Sequence, residues 1–124
     1  MISKTILVVD DSVIYRQMIG AALRGAGYEV VEAVDGKDAL AKLDGSKLHL
    51  IISDLNMPEI DGLEFVARVK QMDSHKFVPV LMLTTETSTE MKARGRGAGV
   101  RAWISKPFHP PQLLDAVSKL VLPL

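Results

Sequence analysis

The chain has 124 residues, close to the most common size of a single domain, and 48% of them are hydrophobic, enough for a continuous core and too many for a disordered chain. Lys+Arg and Asp+Glu both number 15, a formal net charge of +0 that lacks the basic surplus of a general nucleic-acid binder. There is no Cys, which excludes a disulfide framework, a thiolate metal site and a cysteine nucleophile.

Five apolar, β-branched-rich runs predict buried strands over about 5–10, 28–33, 48–54, 78–84 and 101–105. Helical periodicity separates them. In the first helix Tyr15, Ile19, Ala22 and Leu23 share a face, and Gly25 and Gly27 supply a stop. The second is expected from Gly36 to Leu43, capped by Asp35 and ended by Gly45. Asp61-Gly62-Leu63-Glu64 opens the third with the pattern of a capping box, and Thr87-Ser88-Thr89-Glu90 opens the fourth, which stops near Gly99. The fifth carries Pro110-Pro111 in its first turn and is expected to send Leu114, Val117 and Val121 inward. Met1-Ile2-Ser3-Lys4 leads directly into the first strand, leaving no room for a signal peptide, and no apolar run reaches transmembrane length; a cytoplasmic protein without membrane insertion is expected. The chain ends at Leu124, directly after the fifth helix, so residues 1–124 are expected to form one domain.

Strictly alternating strands and helices predict an α/β fold: a parallel sheet covered by helices on both faces. In such sheets ligands bind beyond the carboxyl ends of the strands. Asp10 and Asp11 close the first strand, Asp54 the third and Thr84 the fourth, while Lys106 follows the fifth. These residues should converge. Three neighbouring carboxylates repel one another unless protons or a cation relieve them, and a hard, oxygen-seeking ion such as Mg2+ suits them. A threonine hydroxyl and a lysine point charge beside them suit a phosphoryl group. Asp54, on the expected central strand, is the best candidate for a carboxylate nucleophile. Singly, each residue has a plainer reading: Asp11 as a helix cap, Asp54 as the start of a turn before Met57-Pro58, Lys106 as a solvated lysine, Thr84 as a β-branched core residue. Those readings do not explain why all of them sit at successive strand ends.

The segments Ile6-Leu7-Val8-Val9-Asp10-Asp11-Ser12, Asp54-Leu55-Asn56-Met57-Pro58-Glu59-Ile60-Asp61-Gly62, Leu83-Thr84-Thr85 and Lys106-Pro107-Phe108 together resemble the receiver domain of two-component response regulators. Ala33-Val34-Asp35-Gly36 and Gly97-Ala98-Gly99 also fit, so the resemblance spans essentially the whole chain. It implies a flavodoxin-like, doubly wound five-stranded parallel sheet of order 2-1-3-4-5 with five helices. It further implies Asp54 as phosphoacceptor, with Asp11, Asp54 and the Asn56 backbone carbonyl as Mg2+ ligands and Asp10 acting through water. Thr84 and Lys106 become the phosphate-sensing pair, and the Lys106–Pro107 bond is implied to be cis.

The single-domain length suggests the chemotaxis, CheY-like type. Asn56 and Glu86 match the pair that tunes phosphoryl lifetime in fast-cycling members. Trp103, the only tryptophan, stands where such receivers carry a switch aromatic, often Tyr; it also reads as a half-buried strand aromatic with its indole N–H at the surface. The implied partners are a sensor histidine kinase and a protein that reads the phosphorylated form, such as the flagellar motor switch, through the fourth helix, fifth strand and fifth helix. Direct nucleic-acid binding is not expected. The rivals are a phosphate sink or relay receiver, a Mg2+-dependent phosphohydrolase with an aspartyl nucleophile, for which the loops are too short to form a cap, and a flavin carrier, for which no Ser/Thr-rich loop follows the first strand.

Three features invite other readings. Gly95-Arg96-Gly97-Ala98-Gly99 precedes a strand, so it reads as a helix end and not as a phosphate loop. Lys92, Arg94, Arg96 and Arg101 read as a solvated face or part of a partner surface. His49, His75 and His109 have no metal-ligand spacing.

Overall fold

Leu7 and Val9 point to one face of the first strand and Ile6 and Val8 to the other, and all four are at most 1% exposed, so this strand is covered on both sides. The computed structural model, which describes residues 3–123, shows how. Met1, Ile2 and Leu124, on which the expectations about the two chain ends rest, lie outside the described residues.

The elements alternate as β1 (Thr5–Val9), α1 (Val13–Gly25), β2 (Glu29–Ala33), α2 (Gly36–Ala41), β3 (Leu50–Ser53), α3 (Gly62–Lys70), β4 (Val80–Thr84), α4 (Thr89–Ala98), β5 (Val100–Ser105) and α5 (Pro110–Leu120). All strand pairs are parallel, in the order β2-β1-β3-β4-β5, which is the flavodoxin-like winding. One core layer joins Ile6, Val8, Ile52 and Leu83 to Ile19 and Leu23 of α1 and Leu113 and Val117 of α5. The other joins Leu7, Val9, Ile51 and Met82 to Phe65, Val66 and Val69 of α3, Ala39 of α2 and the flank of α4. Each fully buried Leu, Ile or Phe contributes about 1.5–3 kcal/mol of transfer free energy, so the layers fix which strand ends stand side by side.

The first four strands are shorter than expected by one to three residues, while β5 begins one residue earlier, at Val100. The second helix stops at Ala41, not Leu43: Leu43 N–H bonds Leu40 O at 3.2 Å in a tightened final turn, and Gly45 then takes φ 94°. In α5 the deepest residues are Leu113 and Val117, while Leu114 and Val121 are only partly buried at the margin of the same layer. The Gly95–Gly99 segment is divided. Gly95 and Gly97 lie inside α4, and Gly99 at φ 106° forms its left-handed C-cap.

A bulge in β5 sets the face of the tryptophan. Val80 pairs with Val100 but Leu81 pairs with Ala102, so Arg101 is an extra residue. Because side chains alternate with period two, this one-residue shift moves Trp103 to the α4 side of the sheet and Ile104 to the α5 side. It also brings Ser105 level with Thr84, placing Lys106 beside the end of β4.

Candidate functional site

The residues that follow β1, β3 and β5 meet at the carboxyl edge of the sheet. Asp10, Asp11 and Asp54 each offer a carboxylate oxygen, and these oxygens lie within 4.8 Å of one another. Lys106 Nζ stands between two of them, 2.8 Å from Asp10 Oδ2 and 3.0 Å from Asp54 Oδ2. Asp10 and Asp54 are buried and Asp11 is exposed, so the cluster is sealed below and open to solvent on one side.

Local chemistry explains each placement. Ser12, not Asp11, caps α1, its hydroxyl accepting Tyr15 N–H at 3.3 Å. Asp11 is thus free of the capping role that its position allowed. Asp10 Oδ1 accepts Ser12 N–H at 2.9 Å. Asp54 does form the turn that its sequence allowed, with Oδ1 accepting Leu55 N–H at 2.7 Å and Asn56 N–H at 3.4 Å. That bond orients the carboxylate and leaves Oδ2 facing Lys106. Gly62 opens α3 directly beneath: a Cβ there would lie 2.4 Å from the Asp54 carbonyl oxygen. Thr84 is fully buried, and its carbonyl accepts Lys106 N–H at 2.9 Å, so the hydroxyl and the lysine are neighbours through the backbone. The Lys106–Pro107 bond is cis.

The electrostatics are those of a strained acidic site. Burial pushes the Asp10 carboxyl above its ordinary value, and the Lys106 ammonium and Ser12 N–H offset this only in part. Burial works against the Lys106 ammonium as well, but Asp10 and Asp54 outweigh it and its pKa is raised. Among the described residues, Asp10 Oδ2 has the Lys106 ammonium at 2.8 Å as its sole partner, and the contact is poorly aligned for a hydrogen bond. Three carboxylates offering oxygens within 4.8 Å of one another, with one lysine between two of them, fit a hard divalent cation, and this cluster could hold one.

Two contributors escaped the sequence reading. Tyr15 places its ring under the lysine, with Lys106 Nζ 4.2 Å from the centroid, and packs against Phe108 at 6.4 Å. Its position on the inner face of the first helix was the available signal. Arg16 donates from Nη1 to the Asp10 carbonyl at 2.7 Å, and no motif announced it. Trp103 is half-buried against the α4 side of the core, and its indole N–H does not face water: it donates to the Glu86 carbonyl at 2.8 Å. The Glu86 carboxylate turns to Ser88 N–H at 3.1 Å, and Asn56 is exposed. Lys92, Arg96 and Arg101 line a groove with Trp103, while Arg94 lies outside it. His49 and His75 are buried and bonded to Thr5 N–H and to Ser74 and Ser46, away from the carboxylates.

A doubly wound parallel sheet with an acidic cluster, a buried hydroxyl and a lysine at its carboxyl edge is the arrangement that the receiver resemblance implied. The chain belongs to the response regulator receiver domain family, whose model matches residues 6–118. It is similar to Chemotaxis protein CheY1 of Helicobacter pylori, 40% identical over 119 residues that cover 94% of this chain and 95% of that protein. It is also similar to Protein PilG of Pseudomonas aeruginosa, 36% identical over 112 residues, 90% of this chain and 83% of that protein. Among solved structures, chemotaxis protein CheY4 of Vibrio cholerae superposes with a TM-score of 0.92 at 46% identity, covering 97% of this chain and all of that one. The chain is therefore a CheY-like receiver in sequence and in fold.

Proposed function

We propose that this receiver is a stand-alone phosphoacceptor switch, most consistent with a chemotaxis pathway, in which Asp54 takes a phosphoryl group from a sensor histidine kinase. The observation that carries the reading is Lys106 Nζ held between Asp10 Oδ2 and Asp54 Oδ2, at 2.8 and 3.0 Å, within a cluster of three carboxylates. The Asp54 carboxylate attacks the phosphorus of a phosphohistidine; the P–N bond breaks, the imidazole leaves and an acyl phosphate forms. Leu55 N–H on Oδ1 holds the carboxylate in one orientation for that attack. Lys106 then exchanges a carboxylate partner for a phosphoryl oxygen, and the Thr84 hydroxyl turns to donate to another. Water later hydrolyses the acyl phosphate, at a rate tuned by Asn56 and Glu86.

Mg2+ fits the cluster, with Asp11, Asp54 and the Asn56 backbone carbonyl as ligands and Asp10 acting through water. When bound, it supplies the charge that relieves the three carboxylates and screens the phosphoryl oxygens. Outside this self-directed chemistry the protein is a switch and not an enzyme. A cytoplasmic site of action, without direct nucleic-acid contact, fits a receiver that takes its phosphoryl group from a sensor kinase. No helix among the described residues is long and apolar enough to cross a membrane. The groove of Lys92, Arg96, Arg101 and Trp103 supports a protein partner of the flagellar-motor-switch kind on the α4–β5 side.

Mass measurement after incubation with acetyl phosphate and Mg2+ tests this reading. Wild type should gain one phosphoryl group and Asp54→Asn none. Equal labelling of the variant would remove Asp54 from the role.

A further inference from the structure

We infer that Arg16 is a positioning residue for the acidic cluster, with Glu32 of the edge strand as its anchor. Arg16 makes one hydrogen bond and one ion pair from the same guanidinium. Nη1 donates to the Asp10 carbonyl at 2.7 Å, and Nε lies 3.3 Å from Glu32 Oε1. The side chain is only 13% exposed, so both contacts are shielded from water. Asp10 N–H is bonded at 3.2 Å to Ala33 O of β2, and its Oδ1 takes Ser12 N–H. The Arg16 bond holds the remaining polar group of the Asp10 backbone. That carbonyl belongs to the peptide joining Asp10 to Asp11, so holding it sets the plane from which the Asp11 side chain leaves.

The anchor is itself built in. Glu32 Oε2 lies 3.0 Å from Arg24 Nη2, so two arginines of α1 share one carboxylate on β2. Between them, four residues from each, is Gly20. A Cβ there would come within 3.0 Å of Arg24 Nη1 and 3.5 Å of Glu32 Oε2. The Arg16-Gly20-Arg24 stripe thus leaves room for Glu32 to lie against α1. Arg16 meets the cluster at the Asp10 backbone carbonyl and not at a carboxylate oxygen, so its action there is geometric. A lysine at position 16 would keep the charge but, with a single ammonium in place of the planar fork, could not reach the Asp10 carbonyl with one nitrogen while another faces Glu32.

This inference rests on the Mg2+ reading of the cluster, and calorimetric Mg2+ titration of the whole chain, with a thermal melt of each variant, separates the two. Partners that orient ligands typically change metal affinity by about 10–100-fold. Arg16→Ala should therefore bind Mg2+ at least about tenfold more weakly, with Arg16→Lys impaired in the same direction despite its charge and Glu32→Gln impaired less. Arg68→Ala, which breaks an exposed pair on α3, should match wild type. If wild type binds Mg2+ while folded Arg16→Ala binds equally, the inference is overturned; a lower melting temperature alone does not rescue it. Should Arg16→Ala fail to fold, full affinity in Arg16→Lys or Glu32→Gln overturns it equally. Absence of Mg2+ binding by wild type would remove the metal reading and this inference with it.

Discussion

Thr84 and Trp103, on adjacent strands, are bonded to the same residue: Glu86 N–H donates to Thr84 Oγ1 at 3.3 Å, and the Glu86 carbonyl accepts the Trp103 indole N–H at 2.8 Å. The buried hydroxyl at the candidate site and the half-buried aromatic on the α4 side are therefore two hydrogen bonds apart. If Thr84 turns toward a phosphoryl oxygen, Glu86 N–H loses its acceptor and the segment that holds the indole must rearrange.

Trp103 fluorescence should report that step, since this is the only tryptophan in the chain. Addition of Mg2+ and acetyl phosphate should shift its emission in wild type and leave Asp54→Asn nearly unchanged. Thr84→Ala removes the Glu86 acceptor from the start, so its resting spectrum should already differ and its response should shrink. An equal response in wild type and Thr84→Ala would show that the hydroxyl is not the link.

Periodicity and strand-end chemistry were sufficient for a parallel sheet, the five helices and the convergence of Asp10, Asp11, Asp54 and Lys106, because these follow from burial and from the rule about carboxyl edges; the strand order came from the receiver resemblance. The face occupied by Trp103 was not legible. It depends on the extra residue at Arg101, and nothing in the run Val100-Arg101-Ala102-Trp103 marks a bulge. The Glu86 carbonyl as indole acceptor was equally hidden, since backbone partners leave no trace in side-chain identity. Arg16 was missed for a related reason: its target is a carbonyl, and its ionic partner lies on another strand.

His49 should make stability fall on mild acidification. Burial, then the charges of Lys4 and Lys47, hold its pKa below the ordinary value of about 6.5. Its Nδ1 accepts Thr5 N–H at 3.0 Å, which requires that nitrogen to be unprotonated. The unfolded chain therefore takes up a proton first as pH falls. The contribution is fully present above about pH 6.5 and is lost as pH drops from there through the folded pKa, by at most about 1.4 kcal/mol per pH unit. His49→Asn keeps an acceptor near Nδ1 and cannot titrate in this range. The urea midpoint of wild type should fall more steeply than that of the variant between about pH 7 and pH 5, with the other titrating groups common to both. Parallel profiles would exclude His49 as the cause.

Glu59 is the one non-glycine residue with positive φ among the described residues, at 65°. The left-handed region costs an ordinary L-residue about 1–2 kcal/mol, and Asn tolerates it best without the backbone entropy of Gly. Glu59 is exposed in the loop before α3, so replacement sacrifices little. Glu59→Asn should stabilise the fold by about 0.5–1 kcal/mol, seen as a higher urea midpoint at unchanged slope. A neutral or negative effect would mean that the Glu side chain contributes a contact of comparable size.

Gly95 and Gly97 lie in the same helix and should respond to alanine with opposite signs. Glycine inside a helix costs about 0.8–1 kcal/mol relative to alanine, so helix propensity alone favours both substitutions. At Gly97 a Cβ would meet nothing within 4 Å, and Gly97→Ala should gain most of that amount. At Gly95 the added carbon would lie 2.7 Å from Trp103 Cζ3 and 3.3 Å from Cε3. The indole cannot withdraw freely, because its N–H is bonded to Glu86 and its ring packs against the core. Overpacking of this kind costs about 1–3 kcal/mol and outweighs the propensity gain, so Gly95→Ala should lower the urea midpoint. The comparison has a built-in control: in a Trp103→Leu background the clash is gone, and Gly95→Ala should become stabilising like Gly97→Ala. A double-mutant cycle measures the difference as a coupling energy between positions 95 and 103. A coupling near zero would mean that Trp103 does not rest on the helix at Gly95.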